Sequence, residues 1–500
     1  MPAPRRRAPR LVGIPLLLAL AAGCGTQLDA AEIHQANYFS ADHVPGQTLT
    51  PVAGAPTATG PGTATNPGAI APAAPSGTGT GAVAPGTTTT GTAPATTGRT
   101  KTATSAPATG SAVAPRVPIV GSAGCTASGA PIDVGQVGSF SGLVGASVGG
   151  FKTGVSLWAK AVNAAGGLGC RPVRLFQADD QSSPSVAQSV IQDLVQNKHV
   201  SALIGVASVL NMPAIQAAVN KFKVPVIGSA GPEPQFNYSP DPLMFNQGGS
   251  GVPSYVGASL AAAQVAGGKN VGILYCVEAQ LCTDLNNGLG GKSGLFAKYG
   301  MNPVFAQSIS LTQSSFTSAC QNAKNAKVDV IFLAMDASSV QRTLRDCLAI
   351  NYHPQYSASS ISTSSAVSVD PNVRKAGVFT GASNVPFLSN PNAASAAFHD
   401  AVGRYLGSAQ IDQAVMAGWA AGQMYAAAIN ALTPQVRAGA ISTDVVLKGL
   451  WSLKDETLNG LAPPLNFPQG KPYPVVTCYY VLRIGETGYS ALDDGKQKCL

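Results

Sequence analysis

Nine cysteines and five histidines are the residues of this 500-residue chain best equipped for metal, redox or nucleophilic chemistry. Their spacing removes most of those options. No C-x2-C pair occurs, and His34, His43, His199, His353 and His399 are scattered without zinc-ligand spacing. A serine nucleophile of the hydrolase type needs a G-x-S-x-G elbow, which is missing. Gly288-Leu-Gly-Gly-Lys-Ser293 resembles the end of a phosphate-cradling loop, but Asn286 stands where the first glycine belongs and the segment falls inside an expected helix. The cysteines themselves sort by position. Cys24 stands alone near the N-terminus, and eight more run from Cys125 to Cys499. An even set in an oxidising compartment favours disulfides. Eight cysteines allow 105 pairings. Order along the chain favours neighbours: Cys125 with Cys170, Cys276 with Cys282, Cys320 with Cys347, and Cys478 with Cys499.

Cys24 has its own context. Arg5, Arg6, Arg7 and Arg10 precede an apolar run from Leu11 to Ala22, and Ala21, Ala22 and Gly23 lie directly before the cysteine. That is the layout of a secretory leader, too short for the roughly 20 apolar residues of a spanning helix. A cysteine just after the cleavage site resembles the lipobox of bacterial lipoproteins. The resemblance implies that residues 1–23 are a lipoprotein signal peptide, that Cys24 is acylated, and that the chain works on the extracytoplasmic side of a cell membrane. An ordinary signal peptide with a chance cysteine is the alternative. From Val44 to Pro118 the chain is Pro, Thr, Gly, Ala and Ser, with too little apolar bulk to offset ordering entropy. Residues 24–124 therefore read as a lipidated N-terminus and a disordered linker, whose low-complexity part spans roughly 50 Å as a coil. The formal net charge of +8 carries no nucleic-acid signal, because four of the basic residues belong to the leader and no Lys/Arg block with interleaved aromatics follows.

The elements that must position any site alternate strand and helix. Ile132–Val137 reads as a buried strand, Val148–Ala165 as a helix closed by Gly166 and Gly167, and Val173–Phe176 as a strand ending at Asp179-Asp180. Pro184 opens a helix. Val200–Gly205, a helix near Pro213–Phe222 and Val224–Ile227 follow. After Gly248-Gly249 a second series begins: helix 255–265, strand 270–275, helix Asp284–Tyr299, strand 304–307, helix 315–326, strand 328–333 and helix 340–350. Such alternation implies parallel sheets covered on both faces, with ligands at the carboxyl ends of the strands. Trp419 and Tyr425 fall on a long apolar helix and read as core.

In this setting several segments carry a resemblance: Val137-Gly-Ser-Phe-Ser-Gly-Leu-Val-Gly, Val162-Asn-Ala-Ala-Gly-Gly, Asp179-Asp-Gln-Ser-Ser-Pro, Ala202-Leu-Ile-Gly-Val, Val224-Pro-Val-Ile-Gly-Ser-Ala and Thr457-Leu-Asn-Gly. Their order over more than 300 residues resembles the type I periplasmic substrate-binding proteins, specifically the branched-chain amino-acid-binding family of ABC importers. The resemblance implies an α/β fold of two doubly wound, Rossmann-like lobes joined by a three-stranded hinge. Lobe one is expected at residues 125–247 and 383–459, and lobe two at 248–382 and 460–500. It implies a binding protein rather than an enzyme, without cofactor or metal, expected as a monomer that hands a small ligand to an ABC permease. A ligand-sensing receptor or scaffold of the same fold is the alternative.

The resemblance also places candidate ligand residues. Phe140 and Ser141 lie after the first strand, Ser208 and Asn211 after the third, and Ser229, Ala230 and Gly231 after the fourth. A carboxylate is held well by backbone amides and a hydroxyl. In the second lobe Glu278, Asp336 and Ser338 are candidates, with Asp336 as an ammonium partner; a loop carboxylate or helix cap is the plainer role for each acid. Where the family places its second-lobe acid, this chain reads Tyr356-Ser-Ala-Ser-Ser-Ile-Ser-Thr-Ser-Ser365. That departure points to a hydroxyl-rich pocket, away from a standard amino acid and toward sugars, polyols, amides or other small polar ligands, within an expected class of amino acid, amide, sugar or polyol.

Overall fold

The computed structural model describes residues 125–230 and 243–500; Cys24, the leader, the linker and Gly231 lie outside them. Two sheets organise these residues. The first comprises β1 (Ile132–Gly138), β2 (Val173–Asp179), β3 (Leu203–Val206), β4 (Val226–Ser229) and β5 (Met244–Phe245), in the order β2-β1-β3-β4-β5. Every pair in it is parallel. Its helices are α1 (Gly145–Ala164), α2 (Pro184–Gln196) and α3 (Met212–Phe222).

Helix α4 (Gly251–Ala266) opens the second lobe. There follow β6 (Asn270–Cys276), α5 (Gln280–Leu289), α6 (Leu295–Lys298), β7 (Asn302–Ile309), α7 (Thr317–Asn325), β8 (Val330–Ala334), α8 (Ala337–Ala349), β9 (Gln355–Ser359), α9 (Ser365–Ser368), α10 (Pro371–Ala376) and β10 (Val378–Ala382). The chain then returns to the first lobe for α11 (Ala393–Tyr405), α12 (Gln413–Asn430), α13 (Pro434–Ala438) and α14 (Thr443–Ser452). It ends in the second lobe with β11 (Cys478–Gly485), β12 (Gly488–Ala491) and β13 (Lys498–Cys499). The second sheet runs β12-β11-β10-β9-β8-β6-β7, with β13 beside β11. Strands β6 to β10 are parallel and β11 is antiparallel to β10. Every residue of β3, β4, β8 and β10 is buried, which is why β3 and β8 read as unbroken apolar runs rather than alternating ones.

Each sheet has its own core. The first gathers Val134, Trp158, Ile204, Phe245, Trp419 and Tyr425. The second gathers Val256, Ile273, Phe296, Phe332 and Tyr356. Leu461, Leu465, Phe467 and Tyr473 pack into the first core, so the last crossing between lobes falls after residue 473 rather than at 459–460 where the sequence placed it. Their apolar side chains find Phe245 as an aromatic partner there. The expected helix Asp284–Tyr299 is split: Gly291 takes φ +70° and Gly294 packs against the Gly290 carbonyl, so α5 and α6 are separate. The phosphate-loop look-alike is that break, and it does not follow a strand.

The four cysteine pairs are those of neighbours in sequence: 125–170, 276–282, 320–347 and 478–499. One closes the loop after β6, one joins α7 to α8, and one pins β13 to β11.

Helices α1 and α12 cross almost backbone to backbone. A Cβ on Gly154 would lie 2.1 Å from the Val415 carbonyl oxygen, one on Gly418 would lie 2.6 Å from that of Phe151, and one on Gly422 would meet the Trp158 ring at 2.2 Å. This crossing sets the first lobe's wall of the cleft, because the first turns of both helices face it. Gly154→Ala should therefore cost about 1–3 kcal/mol by overpacking. Gly149→Ala on the same helix, with no neighbour within 4 Å, should be neutral or slightly stabilising. Urea unfolding of both variants, read by tryptophan fluorescence, checks the pair; equal losses would contradict the close-crossing account.

Candidate ligand-binding cleft

Three passes of the chain join the lobes, and polar side chains tie them together. Asn384 Nδ2 donates to the Gln247 carbonyl at 2.9 Å, and Gly249 N donates to the Ser383 carbonyl at 2.8 Å. Ser250 N donates to the Val476 carbonyl at 2.9 Å, and Val476 N donates back to Ser250 Oγ at 3.0 Å. Gln413 bridges Val385 and Phe387 by donating at 3.1 Å and accepting at 2.9 Å. A Cβ on Gly249 would sit 2.1 Å from the Cys478 carbonyl oxygen, so only glycine lets the first and third passes lie side by side.

Above this hinge the strand ends of both lobes face one another. Two adjoining chambers fill the cleft and share Tyr255 and Ile361. The larger encloses about 530 Å³, counting its open mouth. Its wall comes chiefly from the ends of β6, β8 and β9: the Cys276–Cys282 bridge, Leu281, Leu285, Leu311, Phe332 and Met335, with Val144, Val209 and Leu210 from the first lobe. The smaller, about 400 Å³, lies against the hinge and is polar: Ser229, Asn246, Gln247, Ser254, Ser360 and Ser383 line it.

The lobes touch beside these chambers. Ala337 N, the first amide of α8, donates to Ser147 Oγ of α1 at 2.9 Å. Ser365 N, at the start of α9, donates to Asp412 Oδ2 at 2.8 Å, while Asp412 Oδ1 caps α12 through Ala414 and Val415. Phe387 and Tyr489 meet edge to face, with ring centroids 5.1 Å apart. Val148, Phe151, Ala207, Ala230 and Ala417 form a small apolar cluster against which Ile361 of the second lobe packs.

The residues expected to hold ligand are brought to the same loops, but several are already engaged. Phe140 packs against the interlobe cluster with Lys152 Nζ 5.1 Å above its ring. Ser141 is exposed, its amide on Asp179 Oδ1 at 3.3 Å. Asp179, with a pKa held below its ordinary value by that bond and one from Gln181 against the opposing effect of burial, serves as the strand-end cap. Ser208 Oγ and Asn211 Nδ2 are fully buried with no protein partner, but neither lines a chamber. Ala230 lines the hinge chamber and its amide is spent on the Val206 carbonyl. The N–H and C=O of Ser229, expected to be free for a ligand, are taken by the Gln247 side chain at 3.2 Å each.

In the second lobe both acids have structural tasks. Asp336 caps α8, accepting from Ser338 N at 3.0 Å, from Ser338 Oγ, and from Ser339 N at 3.3 Å. Asp336, expected as an ammonium partner, lines the larger chamber while its carboxylate is engaged as this cap, and Ser338 turns to the cap rather than the cavity. Glu278 Oε1 accepts from Ser310 Oγ at 2.6 Å and Leu311 N at 2.9 Å. It therefore acts on the chamber through Leu311, whose carbonyl is held by Arg342 Nη2 at 2.7 Å.

The hydroxyl-rich run also behaves differently from expectation. Ser357 pairs with Ser259 at 2.7 Å, Ser359 with Ser362 at 2.8 Å, and Ser362 Oγ donates to the Met335 carbonyl at 2.6 Å. Thr363 joins Thr380 at 3.0 Å. These hydroxyls satisfy each other, as buried polar groups must, and the larger chamber is left apolar. Of the wall residues that the sequence did not flag, Val144 lies three positions after Ser141, Leu210 falls between Ser208 and Asn211, and Leu311 follows β7, where no candidate was expected. Nothing in a single apolar residue distinguishes a cavity wall from core.

Residues 131–489 match the family described as "Periplasmic binding protein". No curated protein matches the chain. Similar solved structures include a possible leucine/isoleucine/valine-binding protein from Rhodopirellula baltica, at 15% identity over 73% of this chain and 96% of that one, with TM-score 0.62. Another is a fatty acid ABC transporter substrate-binding protein from Thermomonospora curvata, at 16% identity over 75% and 95%, with TM-score 0.62. A third is an ABC transporter solute-binding protein from R. palustris in complex with benzoate, at 18% identity over 74% and 98%, with TM-score 0.59. At these identities the likeness is one of fold.

Asp412 is 3% exposed, and burial outweighs its hydrogen bonds to hold its pKa above the ordinary carboxylate value. A group raised on folding contributes stability that is full below its unfolded pKa, near 3.9, and is lost as pH rises through the folded value. Relative to wild type, Asp412→Asn should therefore gain stability as pH rises above about 4 until it passes the raised folded value, whatever fixed offset the amide introduces. Urea unfolding of both proteins across that range checks this, and parallel curves would contradict it.

Proposed function

Because the chain belongs to the periplasmic binding protein family, we propose that it captures a small solute between its lobes by hinge closure and delivers it to an ABC permease, while Cys24 holds it to the membrane by an acyl chain. The observation that carries the capture reading is the bond across the cleft from Ala337 N to Ser147 Oγ. It lies beside the larger chamber and joins helix starts from different lobes. Contacts that exist only when the lobes meet bias the open–closed equilibrium toward the closed form, and a solute that touches both lobes biases it the same way. A permease that recognises the closed pair then reads occupancy. The ligands named for similar structures, leucine/isoleucine/valine, fatty acid and benzoate, all have apolar bodies, in keeping with the wall of the larger chamber.

The anchor reading rests on the layout of the leader and on the cysteine directly after it. Fatty-acid labelling in a bacterial host should be lost in Cys24→Ser; label that persists would remove the anchor from this account.

The capture reading makes a numerical prediction. Ser147→Ala removes one interlobe hydrogen bond, with a net effect of about 0.5–1.5 kcal/mol. Affinity for the solute that co-purifies with the protein, identified by mass spectrometry after denaturation, should fall roughly two- to tenfold, with unfolding of the ligand-free protein little changed. Unchanged affinity, or an absence of any solute that compacts the protein in X-ray scattering, would contradict closure-driven capture.

A further inference from the structure

The chemistry of the cleft goes further than capture. Resting on that reading, we infer that this cleft selects a ligand without ionised groups, with an apolar body in the larger chamber and a neutral hydrogen-bonding head, such as a carboxamide or hydroxyl, at the hinge chamber.

Three observations combine. Among the described residues lining the two chambers, Asp336 is the one charged side chain. Its oxygens are occupied by Ser338 and Ser339 at the start of α8, so its charge is already balanced by helix amides. An α-ammonium group entering the cleft would lose its water without meeting an uncommitted carboxylate. Likewise no lysine or arginine among these lining residues meets a ligand carboxylate, and the Ser229 backbone amide that would help is closed off by Gln247. A buried charge without a counter-charge is strongly disfavoured, so these described lining residues disfavour zwitterions and anions alike.

The second observation excludes the opposite extreme. Ser359 and Ser362 are the hydroxyls of the larger chamber nearest β9, and they bond to each other and to the Met335 carbonyl. A polyol placed there would forfeit hydrogen bonds to water and find few in return. The third observation supplies the head. The hinge chamber offers Ser360, the Oδ1 of Asn246, whose Nδ2 donates to the Gly249 carbonyl at 3.1 Å, and Ser254 Oγ as an acceptor, its proton given to the Gly251 carbonyl at 2.6 Å; these neutral groups meet an amide or hydroxyl at little electrostatic cost. Tyr255 stands where the chambers join, so one elongated molecule reaches both.

A series with one carbon skeleton separates charge from shape: 4-methylpentanamide, 4-methylpentanoate and leucine, with myo-inositol as the neutral polar comparison. Isothermal titration calorimetry on the purified full chain at neutral pH should rank the amide at least tenfold tighter than leucine and the carboxylate, with no heat from inositol. Leu281→Ala should weaken the amide at least threefold, since its side chain forms the chamber wall. Tighter binding of leucine, of the carboxylate or of inositol overturns the inference, as does amide binding insensitive to Leu281→Ala or silence from all four compounds. Capture by closure is judged separately, by whether any co-purified solute of whatever charge compacts the lobes.

Discussion

An amide at the start of a helix has no partner within that helix, and in α8 this shortage is resolved in two ways. Asp336 reaches back to satisfy Ser338 and Ser339. The amide of Ala337 is satisfied from the other lobe, by Ser147. When the lobes part, water must replace that serine. The same arrangement recurs at α9, where Ser365 N depends on Asp412 of the first lobe. Helix starts at the carboxyl ends of parallel strands are thus the places where the two lobes supply each other's missing partners. The cleft, the chambers and the closing motion all follow from that geometry.

The scaffold that aims those helix starts is rigid where it must be. Glycines at the α1–α12 crossing let two backbones touch, so the start of α1, with Ser147, is fixed relative to Asp412. On the opposite side the Cys276–Cys282 bridge closes the loop after β6. Glu278 and Arg342 clamp the two ends of the Leu311 peptide. The apolar chamber is therefore walled by side chains whose backbones are held from outside it. The hinge is different: its three passes are joined by a few hydrogen bonds, and Gly249 lets the first and third lie side by side.

Much of the fold was legible in the sequence because buried parallel strands have an unmistakable pattern. Val330–Ala334 and Leu203–Val206 are apolar without interruption, and the glycines and prolines between them mark the turns. The cysteine pairs were legible from order alone, since each bridge closes a local loop. The site was legible only to the level of loops. Asp336 and Glu278 are on cleft-side loops as expected, yet their carboxylates serve a helix cap and a neighbouring peptide. The hydroxyls of Ser357, Ser362 and Thr363 find partners at Ser259, Met335 and Thr380. Those partners are distant in sequence, and no local pattern reveals whether a serine faces a ligand or another serine. The split of α5 from α6 was missed because glycine weakens a helix without always ending it.

Amide hydrogen exchange at the start of α8 reads the central constraint directly. Ser338 and Ser339 have their acceptor within the same lobe and should exchange at similar rates with and without a solute that stabilises the fold. Ala337 should be protected strongly when such a solute is bound and much less when it is absent. Equal protection of Ala337 in both conditions would mean that the bond to Ser147 does not report closure, and the account of capture between the lobes would fail.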